Sequence, residues 1–122
     1  MNTKIATLNL CLGLKNKKEE VKQLIIKNNI DILCIQETEL EKDYPVEILT
    51  FKGYGLEMEK NSTKLRSGIY IKDSISYTRR TDLEEENTHM VIIDINDRKK
   101  TRIINIYRAF NPPPGPNPKS TL

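Results

Sequence analysis

Hydrophobic and polar positions change their spacing along this chain, and each change marks an element. Lys4 to Leu10 is short, apolar and contains Ile5 and Thr7, which predicts a strand ending near Asn9. Gly13 follows and allows a sharp turn. Asn16 is placed to cap a helix, Glu19 lies three residues on as in a capping box, and Val21, Leu24 and Ile25 recur on one helical face. A helix over about 17–28 is expected, stopped at Asn28 and Asn29, which tolerate the left-handed conformation. Ile30 to Ile35, apolar except for Asp31, reads as a buried second strand.

Strand, short connection, helix and strand in that order make a crossover unit, so the two strands run parallel with the helix over one face. Ligands of open α/β sheets bind beyond the carboxyl ends of the strands, which here means near Asn9 and near Gln36-Glu37-Thr38. The second half differs. Tyr54 to Glu59, Ser67 to Lys72, Ile75 to Arg79, His89 to Ile95 and Arg102 to Tyr107 are short runs rich in β-branched residues. They read as successive antiparallel strands, with hairpin turns at Lys72-Asp73-Ser74 and Asn96-Asp97-Arg98-Lys99 and an acidic loop over Thr81 to Thr88. From Phe110 the chain turns to Asn-Pro-Pro-Pro-Gly-Pro-Asn-Pro, which cannot continue a ladder. Residues 1–109 are therefore one α/β (α+β) unit, and 110–122 a Pro-rich loop or tail, either a connection or a docking ligand for an aromatic groove.

Composition narrows the function classes. The 122 residues fit one domain or part of one; 37% are hydrophobic and 30% charged, more apolar than a disordered chain. A net charge of +3 permits contact with a phosphate backbone without demanding it. The basic clusters at Lys15, Lys17 and Lys18, at Arg79 and Arg80, and at Arg98 to Arg102 also suit solvated turns and helix starts. Cys11 and Cys34 each interrupt an apolar run and are expected as buried free thiols, with neither a disulfide framework nor zinc spacing. With no signal peptide or membrane span in the sequence, an intracellular setting is expected, nuclear and cytoplasmic remaining alternatives.

Glu37 is the leading candidate for chemistry. A carboxylate directly after a buried strand is displayed where it must be paired, solvated or liganded. Magnesium sites use one or two carboxylates, several waters and the substrate phosphate, so one such glutamate can be the principal protein ligand; a solvated strand-end glutamate is the alternative. Tyr107 alone reads equally as a half-buried strand tyrosine. His89, the single histidine, opens a strand and is expected to be satisfied by a neighbour or by water.

Thr7-Leu8-Asn9-Leu10, Ile32-Leu33-Cys34-Ile35-Gln36-Glu37-Thr38, Arg66-Ser67-Gly68-Ile69 and Asn105-Ile106-Tyr107 occur in one order. This order resembles the endonuclease/exonuclease/phosphatase (deoxyribonuclease I-like) superfamily. Within it, the likeness is greatest to the nicking endonuclease domain of LINE-type (non-LTR) retrotransposons, and runs from about Lys4 to Pro112. The resemblance implies the amino-terminal part of a four-layer αββα sandwich, with a mixed sheet and one early crossover helix; these strands would supply mainly one of its two sheets, leaving an inner apolar face uncovered and favouring self-association. It implies that Glu37 binds Mg²⁺ or Mn²⁺, that Asn9 positions the catalytic groups, and that Tyr107 approaches the scissile phosphate of DNA. It also implies a carboxyl-terminal half as partner, carrying a Gly-Asp-Phe-Asn-like and a Ser-Asp-His-like segment that these residues lack. His89 lies well upstream of the family's catalytic histidine, and Cys11 stands where relatives often have Asp or Asn. The alternatives are a truncated or degenerate fragment with weak phosphate affinity, or a phosphatase or lipid phosphodiesterase of the same superfamily.

Overall fold

The computed structural model describes residues 2–11 and 13–108. Strand β1 (Ile5–Asn9), helix α1 (Lys18–Asn28) and strand β2 (Ile32–Glu41) form the crossover unit. β1 pairs parallel with β2, setting Ile5 opposite Ile32 and Asn9 opposite Gln36. β3 (Tyr54–Met58) and β4 (Lys64–Lys72) complete a mixed four-stranded sheet in the order β1-β2-β4-β3. β5 (Tyr77–Arg79), β6 (His89–Ile95) and β7 (Arg102–Tyr107) form a separate antiparallel sheet in the order β5-β6-β7.

The expectation of mainly one sheet is therefore corrected. The turn at Lys72-Asp73-Ser74 does not join hairpin partners; it carries the chain from the first sheet to the second. Two apolar faces explain the split. Ile32, Cys34, Ile69 and Ile71 of the first sheet pack against Val91, Ile93 and Ile95 of the second. The alternate residues Leu33, Ile35 and Tyr70 join Val21 and Ile25 of α1 in a separate core on the other face. β2 and β4 are thus buried on both sides, which their near-continuous apolar runs require. The inner face expected to lie bare is covered by the second sheet. Glu57 on β3 ties the sheets together: Arg79 reaches it at 2.8 Å while also bonding Glu84, and the Tyr77 hydroxyl donates to it.

Local details depart from the sequence pattern in three places. Asn16 does not cap α1; Lys17 occupies the cap position without a side-chain capping bond, and its ammonium instead donates to the carbonyls of Leu10 and Cys11. Cys11 is exposed, because a left-handed φ of 51° turns the chain out of the strand's course just after β1; Cys34 is buried as expected, and burial pushes its thiol up to about 11. β2 does not stop at Ile35 but continues to Glu41, with its register against β4 shifting between Gln36 and Leu40. The helix stop is as expected: Asn29 is left-handed, and its N–H bonds back to the last turn. Among the described residues no helix is long and apolar enough to cross a membrane. The Pro-rich tail at 110–122 lies outside the described residues.

Candidate active site

Asn9 closes β1, the edge strand of the first sheet, beside the point where β2 becomes irregular. Its amide is held at both ends. Oδ1 accepts the Cys11 N–H at 2.9 Å, and Nδ2 donates to Glu37 Oε2 at 3.1 Å. The loop after β1 runs against the continuing β2 backbone, with the N–H groups of Leu10, Gly13 and Leu14 donating to the carbonyls of Gln36, Glu37 and Thr38. Gly13 takes φ 122° there, a conformation that L side chains rarely adopt.

Glu37 reaches Asn9 only because the backbone departs from strand geometry. Ile32, Cys34 and Gln36 point toward the second sheet, so ordinary alternation would turn Glu37 to the α1 side, with Leu33 and Ile35. Glu37 instead adopts φ 60°, and Glu39 φ 51°, within the register shift. Consecutive residues then face the same strand. Gln36 Nε2 donates to Asn105 Oδ1 at 2.8 Å, and Glu37 Oε2 accepts the Tyr107 hydroxyl at 3.3 Å, with Asn105 and Tyr107 two residues apart on β7. Left-handed non-glycine residues cost on the order of 1 to 3 kcal/mol and cluster where function holds them.

Asn105, which sequence reasoning passed over as only the neighbour of Tyr107, fixes the spacing of the two sheets. It is buried, and its amide donates to the carbonyls of Ile35 at 3.0 Å and Gly68 at 2.8 Å; its own carbonyl accepts the Ser67 hydroxyl at 3.1 Å. Gln36 also bonds the Thr7 hydroxyl at 2.9 Å, extending the network to β1. Asn9, Glu37 and Tyr107 thus meet at one end of the two sheets. The Tyr107 phenol is raised above its ordinary range by burial, and further by the Glu37 charge and the bond to it, so it remains a hydroxyl donor.

A divalent ion fits this arrangement in one form. Among the described residues no group of three or more histidine, cysteine or acidic side chains is placed to hold a metal ion. Glu37 is partly exposed, and the two bonds from Asn9 and Tyr107 fall on Oε2, leaving Oε1 free of side-chain partners among the described residues. One carboxylate oriented by neutral donors, with its second oxygen open, suits a hard cation that keeps most of its waters.

Two further pairs lie beside it. Arg66 meets Glu39 at 3.1 Å. His89 Nδ1 lies 2.7 Å from Glu59 Oε2, the expected satisfying neighbour; the same oxygen accepts the Arg66 N–H at 2.6 Å. Arg66, His89, Tyr107 and Arg108 line one cleft of about 480 Å³. Neither pairing was legible, since Glu59 lies 30 residues from His89 and no local spacing connects them. The other arginine cluster is structural, as Arg80 bonds Asp82 and Asp94 while Arg79 bridges Glu57 and Glu84.

Comparison with known proteins adds three findings. A family model described as the Endonuclease/Exonuclease/phosphatase family matches residues 6–121. Solved structures share the fold, among them the following two. The endonuclease domain of TRAS1, a telomere-specific non-LTR retrotransposon, superposes with a TM-score of 0.62 at 16% identity, covering 90% of this chain and 46% of that one. The 3′ phosphatase NExo from Neisseria, bound to a product DNA hairpin, superposes with a TM-score of 0.59 at 20% identity, covering 87% of this chain and 41% of that one. The chain therefore spans less than half the length of each. No curated protein matches by sequence.

Proposed function

The chain belongs to the endonuclease/exonuclease/phosphatase family, and from that membership we propose that it forms the amino-terminal part of a Mg²⁺-dependent, DNA-nicking endonuclease of the retrotransposon type. One observation carries the reading: a single oxygen of Glu37 takes bonds from Asn9 and Tyr107, and the other has no side-chain partner among the described residues. That is a carboxylate fixed in direction and left with an open side.

Each residue has a definable task. Glu37 supplies the protein ligand and the negative charge. Asn9, anchored through Oδ1 to the Cys11 backbone, stops the carboxylate from rotating. Tyr107 donates to the same oxygen, and by turning its one O–H from Glu37 to a phosphate oxygen it can stabilise charge as it builds there. A divalent ion bound at Glu37 would neutralise that developing charge and favour departure of the leaving oxygen. The groups that orient the attacking water belong, by the resemblance, to a carboxyl-terminal half, so the 122 residues by themselves are proposed to turn over little or no DNA.

The test is nicking of supercoiled plasmid by a protein that carries the carboxyl-terminal half. Glu37→Ala should lower the rate on the order of a hundred- to a thousandfold, as when a key electrostatic group is removed. Equal nicking by both proteins would remove Glu37 from the mechanism. The similarity to a DNA 3′ phosphatase favours a second reading, phosphomonoester hydrolysis. Release of inorganic phosphate from a 3′-phosphorylated oligonucleotide, without plasmid nicking, would select it.

A further inference from the structure

The cleft beside Tyr107 holds a charge arrangement that the nicking chemistry does not use. Glu59 is 2% exposed and closes the end of β3; its Oε2 accepts from both His89 Nδ1 and the Arg66 backbone, while its Oε1 is buried without any partner. A buried carboxylate is costly unless hydrogen-bond partners are held against it. His89 is the side chain in that place. With Glu59 accepting at Nδ1, the imidazole is locked in orientation and Nε2 is left without a partner among the described residues, in a ring that lines the cleft. The ring centre lies 6.2 Å from that of Tyr107, which lines the cleft and bonds Glu37, so this one tyrosine adjoins both the cleft and the Glu37 carboxylate. Arg66, whose guanidinium pairs with Glu39, and Arg108 line the same space together with Glu85.

Resting on the nuclease reading above, we propose that this cleft is a second phosphate subsite, in which His89, held by Glu59, contacts the DNA backbone phosphate adjoining the one at Glu37. A phosphate oxygen arriving at Nε2 needs a proton there to bond. The imidazolium then lies between two anions, Glu59 on one side and the phosphate on the other, and charge-assisted bonds of this kind are the strong ones. Glu59 does not touch the substrate; it acts through His89 as a positioning residue. The contact is to backbone, so it adds affinity and register without reading sequence.

The experiment measures binding of the 122-residue chain to a short fluorescein-labelled DNA duplex by anisotropy, in EDTA, across a salt series. Chelation takes any ion at Glu37 out of the measurement, so this subsite and the nicking mechanism can fail separately. His89→Gln should weaken binding about tenfold and reduce the slope of log affinity against log salt by about one, the signature of one lost phosphate contact. His89→Arg should restore both. Glu59→Gln should weaken binding in the same sense. Unchanged affinity and slope in His89→Gln, or His89→Arg behaving like His89→Gln, would overturn the proposal, as would absence of duplex binding by the unsubstituted chain. Should His89→Gln not fold, the ¹⁵N resonances of the His89 imidazole in the unsubstituted chain decide the matter: they must move on adding duplex, and their constancy refutes the contact.

Discussion

Asn105 shows how much a single side chain can carry here. Its amide satisfies carbonyls on β2 and β4 and accepts from Gln36, so Asn105→Ala strands several buried polar groups at once. A loss on the order of 2 to 3 kcal/mol is expected from chemical denaturation. Its position on the face of β7 shared with Tyr107 followed from alternation, but its role could not, because its partners are backbone groups some 37 and 70 residues away. Glu37 divides in the same way. The Gln36-Glu37-Thr38 motif and its place after a buried strand were legible; the φ of 60° that turns Glu37 toward β7 was not, since glutamate carries no signal for that conformation. Tyr107→Phe should slow nicking on the order of a hundredfold by removing one donor. Because Tyr107 is held above the ordinary phenol range, the rate should show no fall at a normal tyrosine pKa and decline only at higher pH.

At the scale of elements, helix α1 is stopped rather than started by its sequence signals. Asn29, at φ 51° and ψ 45°, carries the terminating conformation. Asn29→Ala should cost about 1 kcal/mol in a thermal or urea melt, the usual penalty for a side chain without Asn's tolerance there. The expected capping box failed because the turn before the helix extends through Lys17, leaving Asn16 outside the cap position. On β6, Asp94 bonds its cross-strand partner Arg102 and also Arg80. The Arg102 bond, aided by Arg80, holds its carboxyl down at about 2. A folded value below the unfolded one means that the stabilisation is present above about pH 4 and is lost as pH falls through about 2. Asp94→Asn should therefore flatten the acid dependence of the melt across that window; an unchanged acid limb would show that the pair contributes nothing.

The described residues form two sheets back to back, one covered by α1, and the strand positions were largely legible from period-two runs. Their division between two sheets was not, because a short polar turn looks alike whether it closes a hairpin or crosses between layers. The inner faces bury each other, so the self-association expected from a bare inner sheet loses that cause. Ile104 and Ile106, about half exposed at 52% and 54%, remain on the outer face of β7, which is an edge strand. If a carboxyl-terminal half packs there, replacing both by Ser should lower the melting temperature of the longer protein and leave that of the 122-residue chain nearly unchanged. Equal effects in both would argue against such packing. The central claim, that crossover and bulge together aim Glu37 at a divalent ion, is tested most directly by adding Mn²⁺ to the isotopically labelled chain. Paramagnetic broadening should centre on Asn9, Glu37 and Tyr107 and disappear in Glu37→Gln. Broadening centred elsewhere, or persisting at these residues in Glu37→Gln, would contradict it.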